Sequence, residues 1–107
     1  MPQILRSALF KRQLIDITSG YRERGGANVA LNFVDQAENS IRFIASKPLA
    51  CPVYTHLEDR EFRKWRVKDF PVSIFFRLDN DGVIILEALY AHRMDIAARL
   101  PDDIERP

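Results

Sequence analysis

The sequence predicts an α+β domain: an N-terminal antiparallel helical hairpin packed on a small antiparallel β-sheet, followed by a short C-terminal helix. Three observations lead there. Apolar residues recur at helical spacing along two successive segments before Pro48. From Phe62 onward the chain turns to aromatic and β-branched runs separated by turn signals. Helices first and strands afterwards is the order of an α+β domain rather than of a parallel α/β sheet. The 107 residues fit a single domain over 1–107, with no internal repeat or inter-domain linker.

The first helix is expected from Ser7 to Arg24. Phe10, Leu14, Ile17 and Tyr21 follow one another at steps of four, three and four, which puts them on one stripe. Ser7 suits an N-cap, and Gly25-Gly26 supplies the residue type that accepts the left-handed conformation ending a helix. A second stripe follows at once through Ala30, Phe33 or Val34, Ala37, Ile41 and Ile44. It closes at Pro48, because the residue before proline is pushed out of helical geometry. Two amphipathic helices with so short a connection fold back on each other, and each still needs cover for its apolar stripe.

That cover is expected downstream. A loop is predicted from Leu49 to about Asp59, then strands at Phe62 to Val67, in PVSIFFRL and in GVIILEALY, with a possible short strand at Gln3 to Arg6. Asp79-Asn80-Asp81-Gly82 reads as the hairpin turn between the last two strands. The last strand is apolar on both parities, as expected of a strand that is central or covered on both sides. MDIAARL suggests the terminal helix, ending at Pro101.

Composition narrows the function classes. Apolar residues make up 47% and charged ones 29%, as in an ordinary soluble globular protein, so a fibrous or disordered chain is excluded. Cys51 is the only cysteine, which excludes an internal disulfide framework and points to a reducing cytoplasm. Neither His56 nor His92 has metal-ligand spacing to it, and no cofactor motif is visible, so neither metal nor cofactor is expected. No apolar run is long enough to span a membrane, and MPQILRSALFKRQ lacks the apolar core of a secretory signal.

Net charge is +1, yet Arg60, Arg63, Lys64, Arg66 and Lys68 crowd together while the tail PDDIERP is acid-rich. Alternation along a strand puts Lys64, Arg66 and Lys68 on one face and Arg63, Trp65 and Val67 on the other, where Trp65 and Val67 would pack beneath the helices. The basic row reads either as a solvated strand face that discourages edge pairing or as a site for a polyanion or acidic protein. Tyr90, His92 and Arg93 at the end of the last strand could supply a proton donor, a general acid or base and a phosphate clamp. Equally, they suit a half-buried aromatic, a loop histidine and a partner for Asp95. Cys51 reads as a small buried residue, and Asp79 and Asp81 as parts of the turn.

In this order and spacing, the hairpin ending in IRFIASKP and the run LEDREFRKWRVKDFPVSIFFRLDNDGVIILEALYAHRMDI resemble the RelE/ParE superfamily of type II toxin–antitoxin toxins over nearly the whole chain. The resemblance implies a toxin neutralised by a cognate antitoxin, whose acidic amphipathic tail wraps over helices and sheet, with promoter DNA reached only through that antitoxin. ParE-like members inhibit DNA gyrase without catalytic residues, and the long helical hairpin looks ParE-like. RelE-like members cleave mRNA on the ribosome; in that case Arg66, Arg77, Tyr90, His92 and Arg93 would be the catalytic set. Arg63, Lys64 and Arg66 match the family's basic strand, Arg77 the arginine closing the next strand, and Arg93 the arginine after the last. Tyr90 stands where many relatives have histidine, with His92 two positions on. An inactive homologue kept as an antitoxin-binding module is the third reading. In each, Arg63, Lys64, Arg66 and Lys68 are the residues expected to meet target or antitoxin.

Overall fold

The structure, a computed structural model, describes residues 3–92, 100, 101 and 103. The chain enters through a short strand, β1 (Ile4–Arg6), and passes directly into helix α1 (Ala8–Gly25). Ser7 is extended, and its hydroxyl accepts the Phe10 N–H at 3.0 Å, the capping bond the sequence anticipates. Gly26, at φ 89°, ends α1 and begins α2 (Ala27–Ser46), so one residue that tolerates positive φ makes the whole connection. Lys47 leaves helical geometry before Pro48, as expected, and a 3₁₀ turn Pro48–Ala50 follows.

The predicted stripes are the buried ones. Phe10, Phe33, Ala37, Ile41 and Ile44 lie in the core, with Leu14, Ile17 and Tyr21 packed against it. Tyr21, Phe33 and Phe70 form a ring triad with centroid separations of 5.0, 5.0 and 5.2 Å, joining both helices to the turn at Phe70.

The helices cover one face of a five-stranded sheet of order β1-β5-β4-β3-β2, built with β2 (Val53–Leu57), β3 (Arg60–Arg66), β4 (Val72–Leu78) and β5 (Ile84–Ala91). The hairpin strands are antiparallel as predicted, and the Asp79 carboxylate accepts the Asp81 and Val83 N–H groups across a turn whose Gly82 has φ 80°. β1 is parallel to β5, so the sheet is mixed: these are the first and last described strands, and both helices and the other three strands lie between them in sequence.

Strand β2 corrects the loop expected from Leu49 to Asp59. It pairs with β3 through a two-residue turn in which Glu58 and Asp59 both have positive φ, 50° and 65°. Such turns favour Asn-Gly, and Glu-Asp carries no such signal in the sequence. Replacing the pair (Glu58→Asn with Asp59→Gly) should relieve left-handed strain and raise stability by about 1 kcal/mol. A higher urea midpoint with an unchanged m value is the expected result; an unchanged or lower midpoint would contradict it.

The double-sided apolarity of β5 has a specific cause. Phe75 pairs with Ala88 and Phe76 with Leu86, so Glu87 bulges out and the alternation shifts by one residue. Ile84, Leu86 and Leu89 therefore face the helices, while Ala88 and Tyr90 join Phe75 and Leu100 in a second cluster on the other face. Past the end of β1, the exposed edge of β5 is satisfied by side chains at the start of α1. Gln13 accepts the Leu89 N–H at 2.7 Å, and the Ser7 hydroxyl donates to the Glu87 carbonyl at 2.8 Å. The predicted helix at MDIAARL lies, apart from Leu100, outside the described residues.

Candidate functional site: a basic sheet face beside an apolar cleft

Alternation along β3 divides its side chains as expected. Trp65 stacks on Phe43 of α2 at 4.4 Å and 12°, and Val67 is buried in the helix-side core. Arg63 donates to the Cys51 carbonyl and to Glu61, both at 2.7 Å, which fixes the loop before β2. Cys51 is itself fully buried, and burial pushes its thiol pKa up against the opposing influence of Arg63, so it is a packing residue.

On the opposite face Lys64 and Arg66 are exposed. Lys64 lies opposite Phe75 in the ladder, with its ammonium 5.2 Å from the Tyr54 ring centroid. Arg66 lies opposite Ser73, and its Nε donates to the Phe70 carbonyl at 3.2 Å. Lys68 is exposed in the turn beyond the strand, next to Asp69 at φ 69°. Arg60 and Arg63 are paired with Glu58 and Glu61, whereas no ion pair joins Lys64, Arg66 or Lys68 to a described carboxylate. Phe62, the one aromatic of this parity on β3, is fully buried and so offers no stacking platform for a base.

His92 stands at the end of β5. Its N–H donates to the Pro71 carbonyl at 2.8 Å, and its Nε2 is 2.7 Å from the Ser73 hydroxyl, directly across from Arg66. Burial first, then the positive charges of Arg66 and Lys64, lower its pKa below the ordinary 6.5, so the imidazole is neutral at pH 7. A depressed folded-state pKa means the unfolded chain binds this proton more readily. The associated stability is complete above 6.5 and is lost as the pH falls toward the folded value. Arg66→Gln should move the His92 pKa upward in an NMR titration; no movement would mean that the guanidinium is not felt at the ring.

The remaining candidates are engaged elsewhere. Arg77 donates to Glu87 at 3.1 Å, with both side chains largely covered. Tyr90 is fully buried, lies 5.7 Å from the Phe75 ring and donates its hydroxyl to the Asp103 carboxylate. Arg93 lies outside the described residues. Of the possible nuclease set, the fold places Arg66 and Tyr90 in one cross-strand row through Ser73, with His92 against the Ser73 hydroxyl, but Tyr90 is buried in that row with its hydroxyl on Asp103.

Beside His92 a cleft of ≈ 360 Å³ opens between α1 and the end of β5. Ile17 and Tyr21 on one side and Pro71 and Ala91 on the other make it apolar, and Asp16, Arg24 and His92 add charged or titratable groups. Neither the cleft nor the Ser73–His92 contact is visible in the sequence, since both depend on how β4 and β5 pair and where α1 lies across them.

A helical hairpin over a mixed sheet, with exposed cations beside a second apolar cluster on the far face, is the architecture of the RelE/ParE superfamily. Residues 4–96 match the family described as ParE toxin of type II toxin-antitoxin system, parDE, and the chain belongs to that family. It is a type II toxin whose cognate partner is a ParD antitoxin. The fold is similar to a solved chain of the chromosomal ParDE system from P. aeruginosa, at a TM-score of 0.73 and 15% identity, covering 85% of this chain and 96% of that one. No curated protein matches the sequence. Among the described residues, no helix is long and apolar enough to cross a membrane.

Proposed function

We propose that this toxin acts by binding DNA gyrase and stalling it on cleaved DNA, and that its antitoxin silences it by laying an acidic amphipathic tail on the face that carries Lys64, Arg66 and Lys68, with Arg63 bracing the strand from behind. The observation that carries this reading is the contrast within the cationic residues. Lys64, Arg66 and Lys68 are exposed without a described carboxylate partner, as a docking face requires, while Arg77 and Tyr90 are tied to Glu87 and Asp103. A protein-binding inhibitor needs the first arrangement and not a convergent catalytic set.

Induced expression without the antitoxin should arrest growth and provoke DNA damage while bulk mRNA stays intact. Rapid mRNA loss on translating ribosomes would favour the nuclease reading, with His92 as the proton-transfer group and Arg66 as the electrostatic stabiliser. Under that reading, His92→Ala should lower cleavage by about 10²-fold or more. Unimpaired growth would leave the chain as a binding module for its antitoxin.

A further inference from the structure

We propose that the chain's own acid-rich C-terminal segment is a built-in competitor for the docking face: Leu100 covers its apolar floor and the Asp103 carboxylate holds the place of a partner's acid, so an acidic partner gains the face only as this segment leaves it. The inference rests on the docking reading above and adds its regulation. The helices cover one face of the sheet, and Lys64 and Arg66 lie on the other. That far face carries two cross-strand rows, Lys64–Phe75–Ala88 and Arg66–Ser73–Tyr90. Each row starts at an exposed cation on β3 and ends at a fully buried side chain on β5.

A sheet face without helices above it normally meets water. Phe75, Ala88 and Tyr90 are instead 0% exposed, and they form one cluster with Leu100, at 1%. Leu9, Tyr54 and Leu57 pack against it, and Leu100 is the described member of the cluster that comes from beyond β5. The second attachment is polar: the Tyr90 hydroxyl donates to the Asp103 carboxylate. Tyr90 and Arg66 stand two strands apart, about 10 Å. A carboxylate held on Tyr90 is therefore separated from the β3 cations by a distance on the order of the Debye length at physiological salt.

The composition of this segment is the one the face selects. After Leu100 it reads PDDIERP, with Asp102, Asp103 and Glu105 against a single Arg106. An apolar residue followed by acids is what a cationic face with an apolar floor retains, whether the segment belongs to a partner or to the toxin itself. No described ion pair joins it to Lys64 or Arg66, so these cations stay able to steer an incoming acid.

Tethering makes this competition effective even at low intrinsic affinity. Only residues 92–99 separate Leu100 from the end of β5, and a segment on so short a tether presents itself at about millimolar effective concentration. A partner's apparent affinity falls by the fraction of toxin in which the face is free. Docking then has two steps: a charge-steered encounter at Lys64, Arg66 and Lys68, followed by exchange of Leu100 and Asp103 for the partner's apolar and acidic groups.

The test uses the whole chain and its ParD antitoxin, with association followed by surface plasmon resonance. Tyr90→Phe and Leu100→Ala leave the charge unchanged and weaken one attachment each, so both should speed association by about threefold or more. Asp103→Asn should do the same, with a charge contribution of its own. Melting followed by circular dichroism shows whether each variant folds; Tyr90→Phe, which keeps the ring in place, decides alone if Leu100→Ala does not. An unchanged rate in the folded neutral variants would overturn the proposal, and so would acceleration confined to Asp103→Asn, which charge alone explains. Slower association in the neutral variants would mean that the segment helps to build the docking face, and the proposal is wrong. If Lys64→Glu with Lys68→Glu slows association while the neutral variants change nothing, the docking face stands and the competitor falls. If the charge reversal changes nothing either, the docking reading falls as well.

Discussion

Truncating Phe33 to alanine is expected to cost about 3–5 kcal/mol of folding stability. Phe33 is fully buried on α2 and touches both other rings of the triad, Tyr21 on α1 and Phe70 in the turn before β4. Its removal would leave a cavity where both helices meet the sheet, and the single-residue connection at Gly26 leaves little freedom for the helices to close in. Because a small domain has only about 5–15 kcal/mol in total, the variant should be largely unfolded at growth temperature and non-toxic. Urea unfolding would show it. A loss below about 1 kcal/mol would mean that the hairpin is not held through this triad.

Reversing charge on the basic face (Lys64→Glu with Lys68→Glu) should slow antitoxin association by about tenfold or more at low salt while lowering folding stability by no more than about 1 kcal/mol. Both side chains are exposed and neither is in a described ion pair, and the exposed Lys64–Tyr54 cation–π contact is worth only about 0.5–1 kcal/mol, so the fold depends little on them. The same change should flatten the salt dependence of association, because screening then has less attraction to weaken. Rates measured by surface plasmon resonance from low to physiological salt would reveal both effects. Rates that ignore charge and salt alike would return this row to the status of a solvated strand face.

What the sequence revealed of this fold follows from where the determining interactions lie. Ser7, Gly26 and Pro48 act on their immediate neighbours, so both helices are bounded by local chemistry and were readable, as was the Asp79–Gly82 turn. β2 was not readable because its turn uses Glu58 and Asp59, which adopt positive φ under the pull of strand pairing rather than by preference. β5 gave an ambiguous pattern because the Glu87 bulge shifts its alternation midway. The parity of Lys64 and Arg66 was readable from β3 alone. The link between Ser73 and His92 was not: the two residues are 19 apart in sequence and meet only through the pairing of β4 with β5.

The most direct measurement of the central claim is supercoiling of relaxed plasmid by purified DNA gyrase, with the toxin titrated in alone and after mixing with an equimolar amount of its ParD antitoxin. The toxin alone should block supercoiling and accumulate cleaved DNA, and the antitoxin should abolish both effects. Undiminished supercoiling at toxin concentrations that cut mRNA on translating ribosomes would contradict the account.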